Sequence, residues 1–266
     1  MSPRVTVVIP HFNTPPGWIA QAVRSILEQE LDDLEVFFVD DSSPDGAWIE
    51  ALRPLRERRL QVFRTSHNVG PYRIKNRILE LTRSPWFALQ DADDWSHPAR
   101  LRRQIDAAER WRTQVVGCSF SYIDPDGKVV RPKRMVRHVN LWVRLRKAFV
   151  LLHPTTMIST QLLRDLGGFD GQAFVGADDD FLLRAVHVAR IRNLPDDLYA
   201  YRTHDSALTS TSSTGWGSSL RANYIRDLME RDRRRWWGPR WISRAALDDL
   251  QARPVDLDFE LEPIEL

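Results

Sequence analysis

The sequence predicts an α/β fold, a mostly parallel sheet flanked by helices, with a helical or irregular extension after it. Three observations predict it. Short β-branched runs, apolar on both faces, recur through the first half and suit strands covered on both sides. Between them apolar residues repeat at helical spacing, and strand–helix–strand alternation gives parallel crossovers. The length, 266 residues, allows one sizeable α/β domain.

The elements follow in order. Arg4–Pro10, Leu34–Asp40, Leu60–Arg64 and Trp86–Gln90 are the early strands. The intervening helical stripes are Ile19/Val23/Ile26/Leu27, Trp48/Leu52/Leu55 and Ile74/Ile78/Leu81. Leu101, Ile105 and Ala108 mark a fourth, with Pro98 suited to its first turn. Val115–Ile123 reads as a strand and Asp124–Gly127 as a turn. Thr155–Ser159 is a short strand, and Gln161–Leu166 a short helix closed by Gly167 and Gly168. Phe181–Val188 is a further helix and Leu198–Arg202 a last core strand. The pattern is Rossmann-like, and such sheets bind ligands at the carboxyl ends of their strands.

Composition narrows the function. The chain has 38 Lys+Arg against 36 Asp+Glu, a net charge of +2, which argues against wholesale polyanion binding. Hydrophobic residues at 42% and aromatics at 10% exclude global disorder. The one cysteine, Cys118, excludes an intrachain disulfide or a Cys-based metal site and suits a reducing cytosol. Ala148–Leu163, the longest uncharged stretch, is too short and polar to span a bilayer. The opening residues have no signal-peptide layout. A cytoplasmic protein, peripheral at most on the membrane's inner face, is the expectation.

Three strands end in polar clusters on one sheet edge: Pro10-His-Phe-Asn13, Asp40-Asp41-Ser-Ser, and Asp91-Ala-Asp93-Asp94. Two carboxylates about 4 Å apart repel by roughly 4 kcal/mol at an effective dielectric near 20. A triplet therefore calls for a cation, and Mn²⁺ or Mg²⁺ matches carboxylate ligands and substrate phosphates. No G-x-G-x-x-G follows the first strand and no P-loop is present, which disfavours dinucleotide enzymes and P-loop kinases.

The motifs VTVVIPHFN, VFFVDDSSPDG, NVGPYRIKN and LQDADDWSHPARL, in this order, resemble glycosyltransferase family 2. HPTTMIS, LGGFD, VGADDDFLLR and YRTHDSALTS continue the resemblance, which covers residues 3 to 212. It implies the GT-A fold and inverting transfer of a sugar from a nucleotide diphosphate, a UDP-sugar before a TDP- or GDP-sugar. It implies a glycosyltransferase domain over 1–212, with 1–110 holding nucleotide and 111–212 carrying the acceptor and catalytic-base half. Residues 213–266 form the extension, Arg/Trp-rich and then acidic.

By that resemblance Pro10, Phe12 and Asn13 wall the base and ribose. Asp41 accepts from the uracil N–H, with Asp40 beside it. Asn68, Gly70 and Lys75 approach the nucleotide; Lys75 stands where the family has Arg and so lacks the bidentate fork. Asp91 and Asp93, spaced by Ala92, match the Asp-x-Asp motif that holds metal and ribose, and Asp94 adjoins them. His204 lies near the diphosphate and metal. Asp178 is the catalytic base, a position that also suits capping of the helix over Phe181. His153, Asp94 and Ala177, the last replacing a family Glu, are acceptor-side candidates. His67 and His97 read as surface.

Two alternatives stand beside transfer: a catalytically inactive nucleotide-sugar-binding or membrane-associated module, and a nucleotidyltransferase on a similar fold. Residues 128–147 hold eight basic and no acidic residues, either a solvated hairpin and helix or a rim for an anionic acceptor or acidic lipid. Ser206–Ser219 reads as a mobile loop that orders over bound nucleotide. Arg221–Arg244, with Trp216, Trp236, Trp237 and Trp241, suits packing on the core first, a membrane surface second, nucleic acid third. The final VDLDFELE alternates with period two and suits an edge strand.

Overall fold

The computed structural model describes residues 3–266 except Arg146, Ala148, Trp216, 237–249 and Pro254, with backbone alone for 233–236. Trp216, Trp237 and Trp241 thus lie outside the described residues, as does the side chain of Trp236.

The elements run β1 (Val5–His11), α1 (Pro16–Leu27), β2 (Leu34–Asp40), α2 (Ala47–Leu52), β3 (Leu60–Thr65), α3 (Pro71–Leu81) and β4 (Trp86–Leu89). Then come β5 (Trp95–Ser96), α4 (Arg100–Trp111), β6 (Val115–Ile123), β7 (Val129–Lys133), α5 (Val139–Arg144) and β8 (Met157–Ser159). The chain ends α6 (Thr160–Asp165), α7 (Ala177–Ala185), β9 (Ile191–Arg202), α8 (Ser219–Trp236) and β10 (Leu261–Pro263). One ten-stranded sheet has the order β10-β3-β2-β1-β4-β8-β6-β9-β5, with β7 against β6.

β3, β2, β1, β4, β6 and β9 all point the same way, because β8 is antiparallel to both β4 and β6. The carboxyl ends of all six therefore reach one rim, and antiparallel β8 starts from it. Ile19, Val23, Trp48, Leu52, Leu101 and Ile105 pack one face of the sheet. Ile74, Ile78, Leu162, Leu163, Phe169 and Phe181 pack the other.

The extension belongs to the same body. Leu228, Leu250 and Phe259 are buried in the second core, and β10 pairs with the outer edge of β3. The expected edge strand thus forms, but only its end is strand. β9 begins seven residues earlier than the sequence suggests. Pro195 and Asp196 are absorbed as a bulge, where the β6–β9 register shifts.

Two buried side chains fix the site rim. Arg100, fully buried, donates to the carbonyls of Leu89 (3.0 Å) and Pro154 (3.1 Å). Gln104 donates to those of Val116 and Thr155, at 2.8 and 2.7 Å. Arg100 thus clamps β4, and Gln104 clamps β6, to the turn before β8. Gly167 and Gly168 close α6 at φ of 70° and 76°. Only glycine fits the second position, since a Cβ there would lie 2.4 Å from Asn76 Oδ1.

Candidate active site

The ends of β1 and β2 are joined by a buried polar network. Thr14 N–H donates to His11 Nδ1 (3.2 Å), so the neutral ring carries its proton on Nε2, 3.3 Å from Asp40 Oδ1. Burial holds the His11 imidazole down to about 4. Burial also raises the Asp40 carboxyl, against the Ser43 hydroxyl and amide and the Arg64 guanidinium. Asn13 and Ser42 hold left-handed φ, 54° and 61°, at these strand ends, backbone strain of the kind that gathers at functional sites. Asp41 accepts from the amides of Val69 and Gly70, both at 2.8 Å, and so fixes the loop that enters α3. Thr65 also donates to it, at 3.2 Å. Burial raises the Asp41 carboxyl in spite of these donors.

After β4 the acidic triplet converges. Oxygens of Asp91, Asp93 and Asp94 lie within 4.8 Å of one another. Asp94 Oδ1 accepts from Arg202 N (2.7 Å), whereas its buried Oδ2 has no hydrogen-bond partner. Arg202 Nε donates to the Asp93 carbonyl (2.8 Å), and Asp91 N–H donates to the Tyr199 hydroxyl (3.2 Å). His204 Nε2 stands 2.8 Å from Asp93 Oδ2, and its ring is tilted 55° to that of Trp18 with centroids 4.8 Å apart. Burial first, then Asp93 and Asp178 against Lys75, pushes Asp91 up to about 6. Burial and the other two carboxylates push Asp94 well above the usual range. An all-carboxylate set with one orphaned buried oxygen fits a hard divalent cation, whose charge would reverse both shifts.

Asp178 stands in the first turn of α7, behind Gly176 at φ 83°. Gly176 rather than Asp178 occupies the cap position, and no side chain caps this helix. Tyr72, from α3, donates to Asp178 Oδ1 at 2.9 Å. Burial raises the Asp178 carboxyl, but the His153 ring, the Tyr72 hydroxyl, a backbone amide and Arg221 outweigh it. The net shift is downward. Its neighbour Asp179 is pushed up to about 7 by burial and by Asp178 itself. Lys75, 3% exposed, lies 3.3 Å from His153 Nε2 and feels both Asp91 and Asp178. Burial lowers its ammonium, and burial with Lys75 holds His153 down to about 3.

The rim thus gathers Pro10, Phe12, Asn13, Asp40, Asp41, Asn68, Gly70, Lys75, Asp91, Asp93, Asp94, His153, Asp178 and His204. Phe12 is half exposed and Asn13 and Asn68 are exposed. Two expectations need correction. Ala177 is fully buried in the core and presents no surface to an acceptor. Asp94, 1% exposed, belongs to the acidic cluster rather than to an acceptor-facing wall. Ala92 is buried as well and presents little surface to nucleotide. Sequence reasoning missed His11, Tyr72, Tyr199 and Arg202. All four sit in or beside the motifs already quoted; what was hidden was their partner.

This is a GT-A glycosyltransferase domain by fold. It aligns with the crystal structure of S. aureus TarS 1-349 in complex with UDP-GlcNAc at a TM-score of 0.70 and 20% identity, over 93% of this chain and 70% of that one. It aligns with the Pyrobaculum calidifontis mannosyltransferase PcManGT, in complex with GDP-Man and Mn²⁺, at 0.60 and 22%, over 85% and 65%. Residues 6–167 match the family model described as glycosyl transferase family 2. The chain belongs to glycosyltransferase family 2. It is 27% identical over 221 residues to the uncharacterized glycosyltransferase EpsJ of Bacillus subtilis (strain 168), covering 79% of this chain but 64% of that protein. The chain therefore spans just under two thirds of that relative's length.

Proposed function

We propose that the chain transfers a sugar from a nucleotide diphosphate, a UDP-sugar by preference, to an acceptor nucleophile by single displacement with inversion. One arrangement carries the reading: Asp178, held by a hydrogen bond from Tyr72, shares a rim with the Asp91–Asp93–Asp94 cluster, and buried Lys75 interacts with both. The UDP preference draws on the TarS structures in complex with UDP and with UDP-GlcNAc.

In this reading Pro10, Phe12 and Asn13 flank the nucleoside, Asp41 orders the loop of Asn68 and Gly70 around it, and Asp91 faces the ribose. Asp91 and Asp93, with Asp94 and His204 beside them, would hold Mn²⁺ or Mg²⁺, which when bound stabilises charge on the leaving diphosphate. Asp178 takes the acceptor proton as the acceptor oxygen bonds to the anomeric carbon. The bond from that carbon to the diphosphate oxygen breaks, and its electron pair leaves on the nucleoside diphosphate. Tyr72 holds Oδ1 of the base, which directs Oδ2 toward the acceptor. Residues 206–215 form consecutive turns and bends after His204, tied by the Thr214 hydroxyl to the Leu208 carbonyl at 2.7 Å. In this reading they close over the diphosphate and exclude water, which the contact of neighbouring His204 with Asp93 supports. A cytoplasmic location fits the buried free Cys118.

The test is a donor screen that reads released nucleoside diphosphate with Mn²⁺ and with EDTA. Metal-dependent release supports transfer chemistry. Metal-dependent UDP binding without release from any donor means an inactive binding module. No binding of any nucleotide overturns the reading.

A further inference from the structure

Among the described residues eleven large apolar side chains are exposed, and five of them fall between residues 129 and 149: Val129, Val130, Leu141, Leu145 and Phe149. The same stretch supplies the eight basic residues with no acidic one between Lys128 and Lys147. This coincidence is not a solvated charge run. In α5, Val139 and Val143 turn into the core, and Asn140 pins the helix to the carbonyls of Val186 (3.2 Å) and Ala189 (2.8 Å). Helical spacing then leaves Leu141, Arg144 and Leu145 together on the outer face. The strand β7 pairs with β6 along one side only, and Val129 and Val130 are 59% and 60% exposed. Lys133 Nζ lies 5.4 Å over the Phe149 ring, which meets Phe120 at 6.2 Å. That contact joins the end of β7 to the chain leaving α5.

The chemistry of this face has two components. Its exposed cations, among them Arg131, Arg134, Arg137 and Arg144, attract phosphate. Its valines and leucines gain nothing from a dissolved polyanion, but they gain from the boundary between headgroups and acyl chains. We propose that the β7–α5 face docks on an anionic lipid bilayer. The face also has a fixed relation to the site. The turn before β7 receives Arg202, whose Nη1 donates to the carbonyls of Asp124 (3.1 Å) and Pro125 (2.7 Å). The same guanidinium donates through Nε to the Asp93 carbonyl at 2.8 Å. One side chain therefore separates the lipid-facing hairpin from the acidic cluster, and a docked protein would hold its site close to the bilayer surface.

The test is co-sedimentation of the full chain with vesicles of phosphatidylcholine alone and of phosphatidylcholine mixed with phosphatidylglycerol. It uses no donor, so it stands or falls apart from sugar transfer. The protein is expected on the mixed vesicles, not on neutral ones, and to be released by salt. Arg134→Glu with Arg144→Glu should weaken binding by at least about tenfold, since each charge near such a surface contributes about fivefold. Leu141→Ser with Leu145→Ser should weaken it too, while Arg226→Glu on α8 should not. All these positions are exposed, and thermal melts check folding; Arg144→Gln replaces any charge reversal that fails to fold. Equal binding to both vesicle types, no binding to either, or loss on Arg226→Glu alone overturns the proposal. If the serine variant binds normally and dextran sulfate displaces the protein completely, the face serves a soluble polyanion, and the lipid proposal is wrong.

Discussion

Tyr72→Phe removes one oxygen and keeps the ring between His153 and Phe169, whose centroids each lie 6.0 Å from it. The oxygen lost is the donor to Asp178 Oδ1 at 2.9 Å. A hydrogen bond to a charged acceptor contributes about 1.5–3 kcal/mol, and about 1.4 kcal/mol moves a pKa by one unit. The Tyr72 hydroxyl is one of the groups holding the Asp178 carboxyl below its ordinary value, and burial pushes the other way. Removing it must therefore raise that carboxyl. The base must be ionised, so the acidic limb of the pH–rate profile should move upward. Tyr72 itself is held well above its ordinary value by burial and by Asp178, so it donates throughout the accessible pH range. The assay is nucleoside diphosphate release across pH with water as acceptor, beside a UDP-binding isotherm that should not change. If the acidic limb of Tyr72→Phe stays in place while Asp178→Asn is inactive, the hydroxyl does not steer the base.

Other outcomes follow from the same geometry. Asp178→Asn should keep wild-type UDP affinity and lose roughly two to four orders of magnitude in turnover, the scale of general-base catalysis, measured by single-turnover kinetics. Asp93→Ala should make UDP affinity by calorimetry indifferent to Mn²⁺, while the wild type binds more tightly with the ion. Gly176→Ala places a Cβ 2.7 Å from the Tyr224 ring at φ +83° and should cost about 1–3 kcal/mol by urea denaturation. His11 is held down to about 4 when folded against 6.5 when unfolded, so its contribution is complete above 6.5 and lost as pH falls toward 4. That is about 3 kcal/mol, and His11→Gln should flatten the corresponding fall in the urea midpoint.

The strands that bear the site were legible because burial on both faces leaves one kind of sequence: Val5–Ile9 and Val36–Val39 are apolar at nearly every position and buried throughout. The Asp91-x-Asp93 cluster was legible because its repulsion is local. Tyr72 and Arg202 were not. Their partners, Asp178 and the Asp93 carbonyl, are 106 and 109 residues away, and periodicity carries no information about such pairings. A helical or irregular extension was expected, but α8 could not be placed within it because its apolar contacts are few, Leu228 with Tyr224 and Ile225, among many arginines. What holds it down is polar: Tyr224 donates to buried Asp170 at 2.9 Å, and Arg253 pairs with the same carboxylate at 2.7 Å.

The pairing of β10 with β3 sets an order of events during synthesis. Leu261 meets Thr65 nearly two hundred residues after it in the chain. Until residues 261–263 leave the ribosome, the outer edge of Leu60–Thr65 presents unpaired amides and carbonyls beside a finished parallel array. Such an edge invites pairing with another nascent chain, and so long a loop closes slowly. The strands β1 to β4 pair with one another before that, but the outer edge of β3 is covered only when residues 261–263 arrive. A chain cleaved before residue 261 would carry an open, adhesive border. The yield of soluble protein should therefore fall abruptly when truncation crosses that short strand.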